Sequence, residues 1–278
     1  MATRNPITRY GATMSDLADP ETPMRWIDHH AHAISDASYR RRCAEELDAS
    51  GALVLPGFFN DAFIASVLTE STGREDEAFF ARDTHNIWLT PNDESLGTEH
   101  IFNRQIQSSK GLLADDQLAA DSPLREVYGD RGFLEFIASV VGEAKVYPYA
   151  DELSSINVHF HRDGEELGWH FDNSSFAVTA LIQAPERGGR FEYVRNLRDS
   201  KNDDQNYPGV ANAVDTRAGV DVLHFAPGAL VVFRGRDSMH RVTPTTGSNT
   251  RILVVLALNT EPGITLSASA RKTFYGRD

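Results

Sequence analysis

From residue 145 onward the chain is a succession of short runs rich in Val, Ile, Phe and Thr. They read KVYPYA, SSINVHFHR, SFAVTALIQA, GRFEYV, DVLHFA, ALVVF, HRVTPT and TRILVVLAL, and Gly, Pro, Asn and Asp separate them. Runs this short cannot each sustain a helix, and turn residues at such regular intervals favour antiparallel strands that close into a sandwich or barrel. Upstream the texture is helical. Residues 36–50 predict a helix closed by Gly51, and NDAFIASVLTEST predicts another, capped by Asn60, with Phe63, Ile64, Val67 and Leu68 at helical spacing. Residues 131–142 predict a third helix with Gly142 as its stop, ALVLPGFF predicts a strand, and residues 74–130 read as turns and short helices. The expected fold is mainly β with amino-terminal helices: a double-stranded β-helix, or jelly roll, of cupin-like form. We expect one catalytic domain over 1–278, with a helical support region at 1–144, a jelly-roll core at 145–262 and a tail at 263–278.

Composition narrows the chemistry. A single cysteine, Cys43, rules out an internal disulfide and any thiolate cluster, so a metal must be held by His and carboxylates. Formal net charge of −13 disfavours nucleic acid and anionic membranes as partners. The start, MATRNPITRY, shows no apolar leader, and we expect a cytoplasmic protein. His29, His30 and His32 cluster in irregular flanks and read as a solvated segment.

The segment Trp169-His-Phe-Asp-Asn173 puts His170 and Asp172 on one face of an extended chain, because side chains alternate with period two. A lone H-x-D is a weak signal. His240, which opens the run HRVTPT after the buried run ALVVF, supplies a third ligand. Two imidazoles and one carboxylate form a facial triad with open positions, as suits iron(II), although zinc also accepts three ligands plus water. Arg251 follows across the turn Thr246-Gly-Ser-Asn249 on an apolar face with Leu253, Val255 and Ala257. A hairpin there would pair His240 with about Val255 and Arg251 with about Pro244, separating the two levels by roughly 13 Å. A metal-chelated keto-diacid would fill that gap, its far carboxylate gripped by the guanidinium.

WHFD, PGALVVFRGRDSMHRVTP and TRILVVLAL together resemble the Fe(II)/2-oxoglutarate dioxygenase superfamily over residues 150–260. ELGWHFDNSSFAVTALIQ, GGRFEYV and the tail RKTFYGR look more narrowly like the group of radical halogenases and hydroxylases of free amino acids. The resemblance implies Fe(II), 2-oxoglutarate and O2 as cofactor and co-substrates. Halogenases of that group carry Gly in place of the metal-binding carboxylate. Asp172 at that position implies hydroxylation of an unactivated carbon in a small free amino acid, with cationic, lysine-like compounds among the candidates. The loose family likeness also points to Arg104 and Glu152 for a substrate's carboxylate and amine.

Around the triad, Asn157, His159 and His161 share one strand face and Ile156, Val158 and Phe160 the other. The polar face is expected to line the site, with Asn157 on the co-substrate and the two histidines as rival metal ligands. Relatives often place Ser or Thr where Leu253 stands, so the far carboxylate needs another donor, with Thr243 or a Tyr as candidates. Asn259 shares parity with Arg251 and is expected near the substrate, and Phe274 and Tyr275 could close over it. Three alternatives stay open on sequence: an oxygenase of protein- or carrier-bound residues, a non-catalytic jelly-roll binding module, and a zinc or manganese cupin-type enzyme.

Overall fold

The computed structural model describes residues 23–277. The amino-terminal stretch read for a leader lies outside the described residues. The chain begins with α1 (Ala37–Ser50), β1 (Ala52–Leu55), α2 (Asp61–Gly73), β2 (Phe79–His85), β3 (Ile106–Leu113), α3 (Pro123–Gly129) and α4 (Arg131–Val141). It continues with β4 (Tyr147–Pro148), β5 (Ile156–His161), β6 (Leu167–His170), β7 (Ala177–Gln183), β8 (Arg187–Gly188), β9 (Phe191–Val194) and α5 (Tyr207–Thr216). Last come β10 (Asp221–Leu223), β11 (Leu230–Phe233), β12 (Met239–Val242), β13 (Thr245–Thr246), β14 (Arg251–Leu256), β15 (Leu258–Asn259) and α6 (Ala268–Tyr275).

The helix signals act as expected. Asp36, Asn60 and Asp130 accept the amides of Tyr39, Phe63 and Phe133 as N-caps, and Gly51 and Gly142 end α1 and α4 in the left-handed conformation. Two antiparallel sheets follow. The large one has the order β1-β11-β7-β14-β5-β3-β2 and the small one β10-β9-β12-β6. This is the expected β-rich jelly roll with helical support.

The outer face of the large sheet supplies Ile156, Val158, Phe160, Ile252 and Val254 to the main core, where they join Leu47, Phe58, Phe63, Phe133, Phe136 and Ile137 from the helical half of the chain. At about 25 cal/mol per Å² of apolar area removed from water, this contact is the main source of stability. A second core under the small sheet joins Trp88, Trp169, Phe171 and Met239 to Val210 and Ala213 of α5.

Two expectations are corrected. Residues 74–130 are not only turns and short helices: β2 and β3 pair along their full length and extend the large sheet. With β1, the region expected to be mere support at 1–144 therefore contributes three of the seven strands. The histidine patch is not simply solvated. His32 is buried, its ring nitrogens bonded to the Tyr39 hydroxyl at 2.6 Å and the Pro56 carbonyl at 2.9 Å, which fixes the loop before α1. Among the described residues no helix is long and apolar enough to cross a membrane.

Candidate active site

His170 ends β6 and His240 lies in β12, and the two are directly opposed in the ladder. Cross-strand partners stand close together, so their rings meet with centroids 4.1 Å apart. Each ring turns its Nδ1 onto the carbonyl two residues earlier, Gly168 at 2.8 Å and Ser238 at 3.0 Å. A carbonyl can only accept, so Nδ1 carries a proton, and in the neutral ring the lone pair is on Nε2. Both Nε2 atoms look at Asp172 Oδ1, at 3.6 Å from His170 and 3.5 Å from His240. Phe191 and Phe233 pack against the His240 ring.

Asp172 is held by its backbone amide, which donates to the Gly235 carbonyl at 3.1 Å. A Cβ at Gly235 would lie 1.9 Å from Asp172 Oδ2, so the carboxylate fits only because residue 235 has no side chain. Oδ2 is buried with no hydrogen-bond partner. Burial alone would raise the Asp172 carboxyl, but His240, His170 and Lys110 outweigh it and hold it at about 2. Burial, then His240, pushes His170 down to about 3, so its ring is neutral and ligand-ready. Among the described residues, His170, Asp172 and His240 are the group whose donor atoms, all within 4.8 Å of one another, could share one ion.

Arg251 is 1% exposed, points inward and leaves Nη1 without a partner. Burial lowers it to about 10, so it stays charged at neutral pH. The hairpin expected to place it is absent. β12 pairs with β6 and β9 of the small sheet, and β14 with β5 and β7 of the large one. Between them Pro244, which has no N–H to donate, leads into Thr245, whose amide donates to the Glu165 carbonyl at 3.0 Å. The chain thus turns a corner between sheets. Arg251 pairs with His161 rather than with Pro244. Gly189 clears the guanidinium's path, since a Cβ there would come within 3.0 Å of Arg251 Cδ.

The inward face of β5 behaves as its alternation implied. His161 is 1% exposed, and neither of its ring nitrogens has a partner. Burial, with Arg251 and Lys110 next, drives its pKa well down, so it is neutral. His159 is neutral for the same reason, burial first and then Lys110 and His161. Neither histidine joins the triad as a ligand.

Four other expectations fail. The Asn157 carboxamide is engaged by the protein, donating to the Ser154 carbonyl at 2.8 Å and receiving the Tyr275 hydroxyl, so it holds the tail and not the co-substrate. Arg104 is tied to Asp215 at 2.5 Å on the surface. Glu152 is exposed. Asn259 does not continue the strand of Arg251 as its parity implied, because β14 ends at Leu256 and β15 pairs with β4 instead. Thr243 Oγ1 accepts the Arg190 amide at 3.0 Å and keeps its own O–H as a donor.

A cavity of about 590 Å³ opens beside the triad, floored by Ser108, Lys110 and Leu112, with His85 and Asn173 at its inner end and Phe274 at its rim. His85 stands edge-on to His170, ring centroids 6.3 Å apart. Lys110 is the residue that sequence reasoning missed. Burial lowers it to about 8, partly offset by Asp172, and its ammonium reaches His159 Nδ1 at a long 3.4 Å.

A family model described as Halogenase D matches residues 105–273. No curated protein gives a match. Among solved structures, a 2OG-Fe(II) oxygenase family oxidoreductase from Burkholderia pseudomallei aligns at TM-score 0.51 and 13% identity, covering 81% of this chain and 92% of its own. The non-heme alpha ketoglutarate dependent epimerase SnoN from nogalamycin biosynthesis aligns at 0.54 and 12% identity, covering 79% and 82%. A prolyl hydroxylase from Trichoplax adhaerens, in complex with a hypoxia inducible factor peptide, aligns at 0.54 and 10% identity, covering 84% and 94%. Such identities speak for the shared jelly-roll fold. The family match spans more than half of the chain and takes in His170, Asp172, His240 and Arg251, and the chain therefore belongs to the Halogenase D family, within the iron(II)- and 2-oxoglutarate-dependent oxygenases.

Proposed function

We propose that this protein hydroxylates an unactivated carbon of a small free amino acid. One observation carries the reading. Two buried side chains with unpartnered nitrogens, Arg251 and His161, face each other across adjacent strands beside a His-Asp-His triad. An orphaned buried polar group costs about 1–3 kcal/mol, more when charged, and two side by side are tolerable where a ligand completes them. A dicarboxylate completes these. Arg251 grips its far carboxylate, His161 donates the second hydrogen bond that Leu253 cannot, and the triad receives the metal. The donor set fits iron(II): two imidazoles whose Nε2 atoms face one carboxylate, and a second carboxylate oxygen left unpartnered.

Iron(II) with 2-oxoglutarate and O2 supplies the oxidising power, the substrate gaining one oxygen atom while the co-substrate leaves as succinate and CO2. The protein's share is placement and fixed tautomers. Asp172 decides the reaction. Its carboxylate occupies the ligand position that a halide would need, which favours hydroxylation within a family named for halogenation.

The test is anaerobic loading with Fe(II) and 2-oxoglutarate, followed by an aerobic mass-spectrometric screen of the common amino acids. Succinate should form in step with a product heavier by one oxygen. If no free amino acid stimulates 2-oxoglutarate turnover, the small-substrate reading fails. If zinc alone supports activity and 2-oxoglutarate is dispensable, the oxygenase reading fails as well.

A further inference from the structure

The positions expected to hold a substrate's charged groups, Arg104 and Glu152, do not line the cavity, so something else must bind them. Two strands offer a replacement. In the β2–β3 ladder Ala81 pairs with Lys110 and Asp83 with Ser108, so Asp83 and Lys110 are diagonal neighbours on one sheet face. Diagonal neighbours stand about 7–8 Å apart. Both line the cavity, and among its described lining residues Lys110 is the one Lys or Arg and Asp83 the one carboxylate. No ion pair joins them to each other or to any other described side chain. The Lys110 ammonium has three donors and only the long contact to His159. Asp83 Oδ1 takes the Thr84 amide at 2.7 Å, which leaves Oδ2 for another donor.

Charge balance points the same way. A divalent metal, Asp172, Arg251 and a dianionic co-substrate sum to zero, which leaves Lys110 and Asp83 as one charge of each sign along the cavity. Two charges of opposite sign too far apart to pair suit a ligand that carries an anion and a cation together. The volume of about 590 Å³ falls within the range of small-ligand pockets, and Leu112, Phe79 and Phe274 give it apolar walls for a carbon chain.

We propose that Lys110 and Asp83 form the subsite for the zwitterionic head of a free α-amino acid, Lys110 binding its carboxylate and Asp83 its ammonium. This rests on the hydroxylase reading above and names the groups that select its substrate.

The test uses the full chain loaded anaerobically with Fe(II) and 2-oxoglutarate. The probes are the twenty common L-amino acids, their carboxamides and their N-acetyl derivatives, and the readout is the visible iron–co-substrate absorption band as each probe is added. At least one amino acid should perturb the band while its carboxamide and N-acetyl form do not. Lys110→Met should weaken that amino acid about 10–100-fold, the loss of one charge-assisted hydrogen bond of about 1.5–3 kcal/mol, whereas Lys110→Arg should restore most of it. Asp83→Asn should relax discrimination against the N-acetyl form. A chloride titration at constant ionic strength separates the sources of the anion: chloride that shifts the band where no carboxylate does would overturn the assignment. So would equal response to acid and amide, or unchanged affinity in Lys110→Met. If Lys110→Met no longer shows the band at all, Lys110 serves the metal site and the assignment fails. Silence from every probe with the wild-type protein sinks the small-substrate reading itself, which distinguishes that failure from this one.

Discussion

Gly235 shows how one absent side chain can make room for a carboxylate. The carboxylate of Asp172 stands in space that any Cβ at position 235 would claim. Gly235→Ala should therefore displace Asp172 and weaken metal binding about 10–100-fold, the usual cost of disturbing a ligand's support, as read by competition with a chelating dye. Asp172→Gly should abolish hydroxylation outright, measured by the loss of the oxygenated product. His161 makes a sharper case. His161→Leu replaces an imidazole that has no protein partner, so the ligand-free fold should hold its melting temperature or gain slightly, while 2-oxoglutarate affinity falls about 10–100-fold in anaerobic titration, in keeping with a lost hydrogen bond to a charged group. A fold that melts earlier with unchanged co-substrate affinity would make His161 a packing residue instead.

Among elements, legibility followed burial. Strand β14 and helix α4 were plain in the sequence because their apolar residues meet a dry core: Ile252, Val254, Phe133, Phe136 and Ile137 all lie in it. His170 and Asp172 were legible because period-two alternation in an extended chain needs no tertiary information. Strands β2 and β3 were not. Their inward positions Ala81, Asp83, Ser108 and Lys110 face a cavity instead of a packed core, β2 is a sheet edge, and the apolar alternation that marks a half-buried strand is missing. The pairing of Arg251 was misread because chain proximity suggests a hairpin, while Pro244 and the Thr245 contacts send the strands to different sheets. His161 was visible only as part of a polar face, since its role depends on a partner strand nearly a hundred residues on. Strand β9 carries a further prediction. Glu192 is buried between Arg241, directly across in β12, and Arg217 at the end of α5, both at 2.7 Å. Burial would raise its carboxyl, but the two guanidinium groups win and depress it below the ordinary 4.5. A carboxylate depressed in the folded state stabilises it above pH 4.5 and loses that contribution as pH falls through the folded value. Acid melts from pH 5 downward should therefore be steeper for the wild type than for Glu192→Gln.

At the scale of the whole molecule, the residues assigned to metal and co-substrate are divided between layers. His170 and His240 belong to the small sheet, Arg251 and His161 to the large one. The main helical core lies on the outer side of the large sheet, so the seam between the sheets around the triad and Arg251 gains from what lies within it. Ligand that binds the folded state at a hundred times its Kd adds about 2.7 kcal/mol of stability. Metal and 2-oxoglutarate together should raise the melting temperature more than the sum of their separate effects, checked by scanning fluorimetry.

A molecule gripped by one layer at its keto end and by the other at its far end is a rivet through both. Amide exchange along β12 and β14 should slow together when it is driven home, and pyruvate, which is too short to reach the second plate, should leave the two layers breathing independently.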